Sequence, residues 1–338
     1  MAVKSQVSSR GVNGVNGVRG PAVRDELFVN NDTVSLCFLL NRRARAVRII
    51  DFRAGPNPRK REAVLKLARQ ERMEKVYTLV ERDEVPTWTK LGFSREGNIP
   101  GFYRRSDAFL LGCPAAAPFA SETRITAARP SPIEAAFSSE ARRIADEEDV
   151  IELIDEEEKT MSAAQLRAEK TLAKAKRVAK LEKVLPRATV AVARETDARK
   201  AVERAQKKDA ALTAFEPFGR DTERRYFTVS SRGGFELTAS VESQSCFGNA
   251  FLELLTAPRT DAEATATISA LRALVELLAK EGVVSVFSLV PSDDVSLAVA
   301  YVGNGFRRTG VLENHMVVGG VRKDAILFSR KLATTAAD

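Results

Sequence analysis

One supersecondary word is spelled twice along this chain. The segment "VYTLVERDEVPTWTKLGFSREGNIPGF", completed by "DAFLL", parallels "VFSLVPSDDVSLAVAYVGNGFRRTGVLEN", completed by "DAILF". In both, a strand runs into a short helix that ends in Gly-Phe, and two strands follow. An internal repeat of this kind is one structural unit used twice. The chain therefore has to build two related halves, and its 338 residues suffice for two domains of ordinary size.

The surrounding pattern fills out each half. From Leu27, "VSLCFLLN" and "ARAVRIIDFRA" read as a hairpin around Asn41-Arg42-Arg43. The next segment is helical, with Val64, Leu65, Ala68 and Met73 on one stripe. With the repeat unit this gives β-β-α-β-α-β-β over residues 27–113. From Arg187 the order is β-α-β-β-β-α-β-α-β-β, ending near residue 334. Residues 1–26 read as a flexible Gly/Asn/Val tail.

Between the halves, residues 114–186, the composition changes. An Ala/Pro/Ser linker precedes a stretch rich in Ala, Glu, Lys and Leu, which predicts helix. Its first part is acidic and its second part basic. Two readings stay open. One is a solvated helical connector whose halves attract each other, coiled-coil fashion. The other is a protein-docking element over residues 137–185, with "VIEL" as a short recognition strand.

Bulk chemistry narrows the function. One histidine, His315, excludes a multi-histidine metal site. Three separated cysteines (Cys37, Cys113 and Cys246) suggest buried thiols in a reducing cytoplasm. No apolar run is long enough to cross a membrane. The net charge is +8, and residues 1–113 hold 21 Lys/Arg against 12 Asp/Glu. That excess raises nucleic-acid binding as a question. With 7% aromatics and no base-reading signature, a solvated basic surface is the preferred reading, and nucleic acid is not expected as a partner.

The helix-end words "KLGF" (Lys90 to Phe93) and "GNGF" (Gly303 to Phe306), each followed by paired strands, resemble the GNAT acyl-CoA N-acyltransferase superfamily. More narrowly, "REGNIPGFYRRSDAFLLG", "FEPFGRDTERRYFTV" and "GFRRTGVLENHMVVGG" are similar to phrases of the β-lysine N-acetyltransferases. Those enzymes place an incomplete GNAT-like half ahead of a complete GNAT domain. The resemblance implies an α/β (α+β) tandem GNAT fold with mixed, largely antiparallel sheets flanked by helices. It further implies that "AFLELLTA" and "VVSVFSLV" splay apart with acetyl-CoA between them. Cofactor-binding positions would then fall on Leu255, Thr256 and Ala257 and on Arg259, Ala262 and Ala264 of the turn. The resemblance also puts an acid at Tyr301, four residues before Gly305, a base at Glu253, and an acceptor pocket near Glu313, Asn314 and His315. The first half has Trp88 in the place of Tyr301.

The turn itself departs from the family. Where Arg and Gly are expected before the helix, this chain has Asp261 and Ala262, followed by Glu263 and Ala264. Thr260 to Glu263 spells a capping box, whose hydroxyl and carboxylate would satisfy the N–H groups a phosphate needs. One carboxylate about 5 Å from a phosphate charge costs roughly 3 kcal/mol at an effective dielectric near 20. In the first half, Pro56 and Pro58 withhold N–H groups, while Arg59, Lys60 and Arg61 leave the turn electropositive. The expectation is a GNAT-lineage protein whose acetyl-CoA-dependent activity is weak or lost and which works as a scaffold or interaction module. The alternative is an active N-acetyltransferase of a small amine or amino acid such as β-lysine.

Overall fold

A computed structural model describes residues 25–42, 44–103, 106–115, 161–180, 185–212, 218–219, 222–231, 234–244 and 246–332. The first half runs β1 (Glu26–Asn30), β2 (Ser35–Asn41), β3 (Ala46–Asp51), α1 (Pro58–Gln70), β4 (Lys75–Val80), α2 (Val85–Lys90), β5 (Ser94–Ile99) and β6 (Ala108–Pro114). Helix α3 (Ala163–Ala179) comes next. The second half then runs β7 (Ala188–Ala193), α4 (Glu195–Gln206), β8 (Glu223–Ser231), β9 (Phe235–Gln244), β10 (Asn249–Leu254), α5 (Asp261–Lys280), β11 (Ser285–Pro291), α6 (Val295–Gly303), β12 (Arg307–Val318) and β13 (Val321–Lys331).

The order of elements in the second half is the expected one. The first half has one strand more than expected, β1, which pairs antiparallel with β2 along its length. Helix α4 ends earlier than its composition suggests. Lys207 to Asp209 turn the chain, with Asp209 at φ 52°, and Ala211 bridges to Thr256. Helix starts follow local chemistry: Asn57 caps α1 with Pro58 at its first position, and Asp294 caps α6 through the Leu297 amide.

All thirteen described strands form one sheet, in the order β1-β2-β3-β4-β6-β5-β12-β13-β11-β10-β9-β8-β7. It is antiparallel except at β3–β4 and β10–β11, which gives the mixed, largely antiparallel α/β class expected. Helices α1 and α2 cover one face of the first half, packing Val64, Leu65, Ala68 and Trp88 onto Phe38, Ile49 and Val76. Helices α5 and α6 cover the second half, burying Leu271, Leu274 and Tyr301 against Leu252, Val286 and Phe328. On the opposite face an aromatic layer spans the middle, with Phe218, Phe251 and Phe287 at centroid distances of 4.8 to 5.3 Å.

The repeat is visible in three dimensions. Trp88 meets Phe93 edge-on at 4.9 Å and 83°, and Tyr301 meets Phe306 at 5.0 Å and 80°. Each half has a register break three residues after its Gly-Phe word, between Arg95 and Gly97 and between Arg308 and Gly310. Those two glycines are the residues that pair where β5 meets β12. A Cβ on Gly310 would lie 2.5 Å from the Gly97 Cα, so only hydrogen fits there.

Around that joint, side chains tie the halves together. Lys75 Nζ on β4 donates to both Glu96 oxygens, at 2.5 and 2.7 Å, and to the Glu313 carbonyl of β12 at 2.5 Å. Asn249 donates to the Phe102 carbonyl at 2.8 Å, and Ser285 to the Pro100 carbonyl at 3.0 Å. Arg322 reaches back to the Ala44 carbonyl and to Glu74.

The insert is only in part what its composition suggests. Residues 116–160, which include "VIEL", lie outside the described residues. Helix α3 does not behave as a solvated connector. Its capping box of Ser162 and Gln165 sets the start, and Ala164, Ala168, Thr171, Leu172 and Ala175 are buried in the core of the second half. Ion pairs Arg167–Asp324 (2.6 Å) and Arg308–Glu169 (2.5 Å) flank that contact. Small side chains at four-residue spacing let the helix approach closely, which composition alone does not reveal.

Candidate functional site

The parallel pairs are where each sheet opens. Strands β10 and β11 pair only from Asn249↔Ser285 to Phe251↔Phe287, so they part beyond Phe251 and Phe287. Strands β3 and β4 part after Ile49↔Thr78. Each opening faces the turn that leads into a helix, α5 or α1.

At the apex of the β10–β11 opening, the Tyr301 hydroxyl lies 2.6 Å from Ser288 Oγ. Tyr301 is 1% exposed and stacks on Phe328 at 5.2 Å. Burial pushes its phenol well above the usual range, opposed by the Ser288 hydrogen bond. The group is therefore a protonated donor at neutral pH. Ser288 had no signal in the sequence, because a serine in an apolar strand reads as packing.

Glu253 lies on the other face of the sheet. It alternates with Leu252 and Leu254, which pack toward the helices. Its carboxylate accepts from Arg224 Nη2 at 2.6 Å and from Ser240 Oγ at 3.2 Å. The two candidate catalytic groups thus lie on opposite faces of the sheet, each with its own hydrogen-bond partner.

Leu255 is buried and Thr256 is in the bridge to Ala211; Ala257 N donates to the Ala210 carbonyl at 2.8 Å. The turn that follows is capped by its own residues. Thr260 Oγ1 accepts from the Glu263 amide at 3.2 Å, as the capping box requires. Glu263 differs from expectation: its carboxylate takes the Arg259 amide at 2.5 Å, one residue before the cap, where the box would have it return to Thr260. Ala264 N donates to the Thr260 carbonyl at 2.8 Å. Asp261 and Glu263 stand in the first turn of α5, at its positive end. These residues do not fit a pyrophosphate in the usual mode.

The first half's turn is closed in a different way. Lys60 is 1% exposed, and its ammonium is held by Asp51 Oδ2 at 2.5 Å, by the Gly55 carbonyl at 2.9 Å and by the Arg53 carbonyl. From sequence this lysine, beside Arg59 and Arg61, adds positive charge to the turn. Instead it is consumed internally, and oxygens converge where a phosphate would need N–H groups.

The acceptor-pocket candidates fall in a bulge of β12, between Leu312 and Met316. Glu313 and Asn314 are exposed, with Asn314 at φ 50° and its amide donating to Asp324 Oδ1 at 2.9 Å. His315 turns inward, 7% exposed, edge-on to Tyr77 of the first half at 4.8 Å. Its Nδ1 has no hydrogen-bond partner. Burial, with Lys75 and Arg322 nearby, pushes its pKa down to about 3. His315 is therefore a neutral seam residue and is not arranged as an acid or base. Among the described residues no His/Cys/Asp/Glu group is arranged to hold a metal, and no helix is long and apolar enough to cross a membrane.

No protein-family model and no curated protein matches the chain. Solved structures similar to it include N-acetyltransferases. The ribosomal-protein-S18-alanine N-acetyltransferase from Escherichia coli is 18% identical at TM-score 0.34, covering 44% of this chain and 96% of its own. Spermidine N-acetyltransferase from Vibrio cholerae, in complex with CoA and spermine, is 12% identical at TM-score 0.36, covering 44% and 97%. At these scores the reading of the site rests on the chain's own geometry.

Proposed function

We propose that this chain is a GNAT-type, N-acyltransferase-like protein whose acetyl-CoA-dependent turnover is weak or lost, and that it works as a scaffold or protein-interaction module. One observation carries the reading. Each turn that would cradle a pyrophosphate is satisfied by the chain itself, through Thr260 and Glu263 in the second half and through Lys60 in the first. A cofactor phosphate would have to displace those contacts and tolerate two acids at the start of α5, at roughly 3 kcal/mol for each carboxylate about 5 Å away.

Calorimetric titration with acetyl-CoA, and with free CoA as control, tests this. The expected result is no binding below millimolar concentration; micromolar binding sinks the proposal. A second reading, an active N-acetyltransferase of a small amine such as β-lysine, is favoured by one specific feature. The Tyr301 hydroxyl is held by Ser288 at the apex of the opening, where the resemblance puts the acid, with Glu253 across the strand edge. Micromolar binding followed by acceptor-dependent release of CoA would establish it. A protein partner through residues 137–160 belongs to the first reading, since α3 is already committed to the core.

A further inference from the structure

The sheet face opposite α1, α2, α5 and α6 holds a buried cation with no counter-ion in contact. Arg48 on β3 and Glu242 on β9 have seven strands between them in the sheet order. Both nevertheless reach the dipeptide Phe218-Gly219, so this face curves inward. Phe218 N donates to Glu242 Oε2 at 2.9 Å and Gly219 N donates to Oε1, while Arg48 Nη1 donates to the Phe218 carbonyl. Both oxygens of Glu242, itself 3% exposed, are therefore engaged by amides. Arg48 is 9% exposed. Among the described residues it has no ion pair, its Nε has no hydrogen-bond partner, and Nη1 alone of its nitrogens donates. Buried charges in folded proteins are normally paired. This guanidinium is unpaired along its Nε–Nη2 edge.

Two neighbours share that condition. Tyr77 stands opposite Arg48 in the β3–β4 register and is 7% exposed, and its hydroxyl makes no hydrogen bond among the described residues. Burial, opposed by Arg48, pushes that phenol up to about 12, so it is a neutral donor. His315 lies edge-on to the Tyr77 ring, and its Nδ1 has no partner either. The other side is aromatic. The Arg48 guanidinium lies 5.0 Å over the Phe218 ring, which packs on Phe251 and Phe287, and half-buried Tyr103 and Phe247 extend that layer.

We propose that Arg48 and Tyr77 form a binding site for the carboxylate of a small organic acid, whose body lies against the aromatic layer. The Nε–Nη2 edge of a guanidinium carries two parallel N–H groups that match the two oxygens of one carboxylate, and the Tyr77 hydroxyl donates to one of them. A phosphate dianion fits less well. It needs more donors than these and brings twice the charge close to Glu242, whose Oε1 lies 3.1 Å, and Arg48 Nη1 3.6 Å, from where a Cβ on Gly219 would be. The site uses neither pyrophosphate turn and lies on the opposite face from Tyr301. It therefore goes beyond the function proposed above and stands whether or not acetyl-CoA binds.

His315 reports on this site, because it is the one histidine of the chain and its ring touches Tyr77. Its Cε1–H resonance is followed in the full chain at constant pH and ionic strength. The probes are acetate, 3-phenylpropionate, the uncharged amide of the latter, and inorganic phosphate, each to about 50 mM, above the millimolar range in which molecules of this size bind. The expected result is a saturable shift with the acids, at least about tenfold weaker binding of the amide, and no shift with phosphate. Tyr77→Phe keeps the ring and should weaken the acids about fivefold. Arg48→Lys keeps the charge without the two-pronged edge and should weaken them at least about tenfold. The melting temperature of each variant shows that it is folded, and Tyr77→Phe decides alone if Arg48→Lys is not. No saturable shift with either acid overturns the proposal. So does a phosphate response equal to the acids', or acid binding that folded variants leave unchanged.

Discussion

Acidification should loosen this protein in part through one buried residue. His315 is the one histidine in the chain, buried at the seam against Tyr77 and held neutral down to about pH 3. Unfolded, its imidazole takes up a proton near pH 6.5. Between those values the unfolded chain binds one proton more than the folded one, so stability falls as pH drops from 6.5 toward about 3. Above pH 6.5 the contribution is flat. Each pH unit inside the window costs about 1.4 kcal/mol, so about 2 kcal/mol is lost by pH 5. Carboxylates elsewhere titrate too, and the readout is therefore a difference. Urea unfolding of the wild type and of His315→Leu, compared at pH 7.5 and 5.0, should show the wild type losing about 2 kcal/mol more. The lone imidazole also gives one Cε1–H resonance, which should not move between pH 8 and 5 while the protein is folded. Parallel stability profiles, or a resonance with a midpoint near 6.5, would refute the reasoning.

Two further substitutions test the architecture. Gly310→Ala places a Cβ 2.5 Å from the Glu96 carbonyl oxygen and from the Gly97 Cα, and is expected to destabilise by about 1–3 kcal/mol; an unchanged melting temperature would show that the joint is looser than this. Deleting residues 161–180 removes α3 with its buried Leu172 and alanines and uncovers their partners on α6, so cooperative unfolding should be lost. Deleting 137–160 leaves the described contacts of α3 in place, so the melting curve is expected to match the parent's.

Much of the fold was legible because the signals were periodic and local. The Gly-Phe words located both short helices, and alternating apolar residues placed the strands of the second half in order. Strand β1 escaped because "ELFVN" is short and follows a polar tail. Helix α3 was readable as a helix, but nothing in "AAQLRAEKTLAKAK" says that its alanines are buried, since alanine suits solvent and core alike. The site was legible in its covalent residues and not in their pairings. Thr260 was rightly placed as a cap, and Tyr301 stands at the splay. Ser288 under Tyr301 depends on how α6 packs back on β11, while Arg224 on Glu253 and Lys75 with Glu96 join different strands that the sheet brings together. Lys60 is the instructive miss. Flanked by Arg59 and Arg61, it looked like surface charge, yet it is the one of the three whose helical position points into the turn.

Gly97 and Gly310 hold the same place in the two copies of the repeat and face each other across the joint. Neither position can acquire a side chain first, because whichever changes meets the backbone of the other. Changing both together only doubles the obstruction. The two halves are free to diverge at their turns, as Lys60 and Glu263 show, but at this point each holds the other to its starting residue. A mutational scan should find the pair jointly intolerant, with no compensating route through either partner.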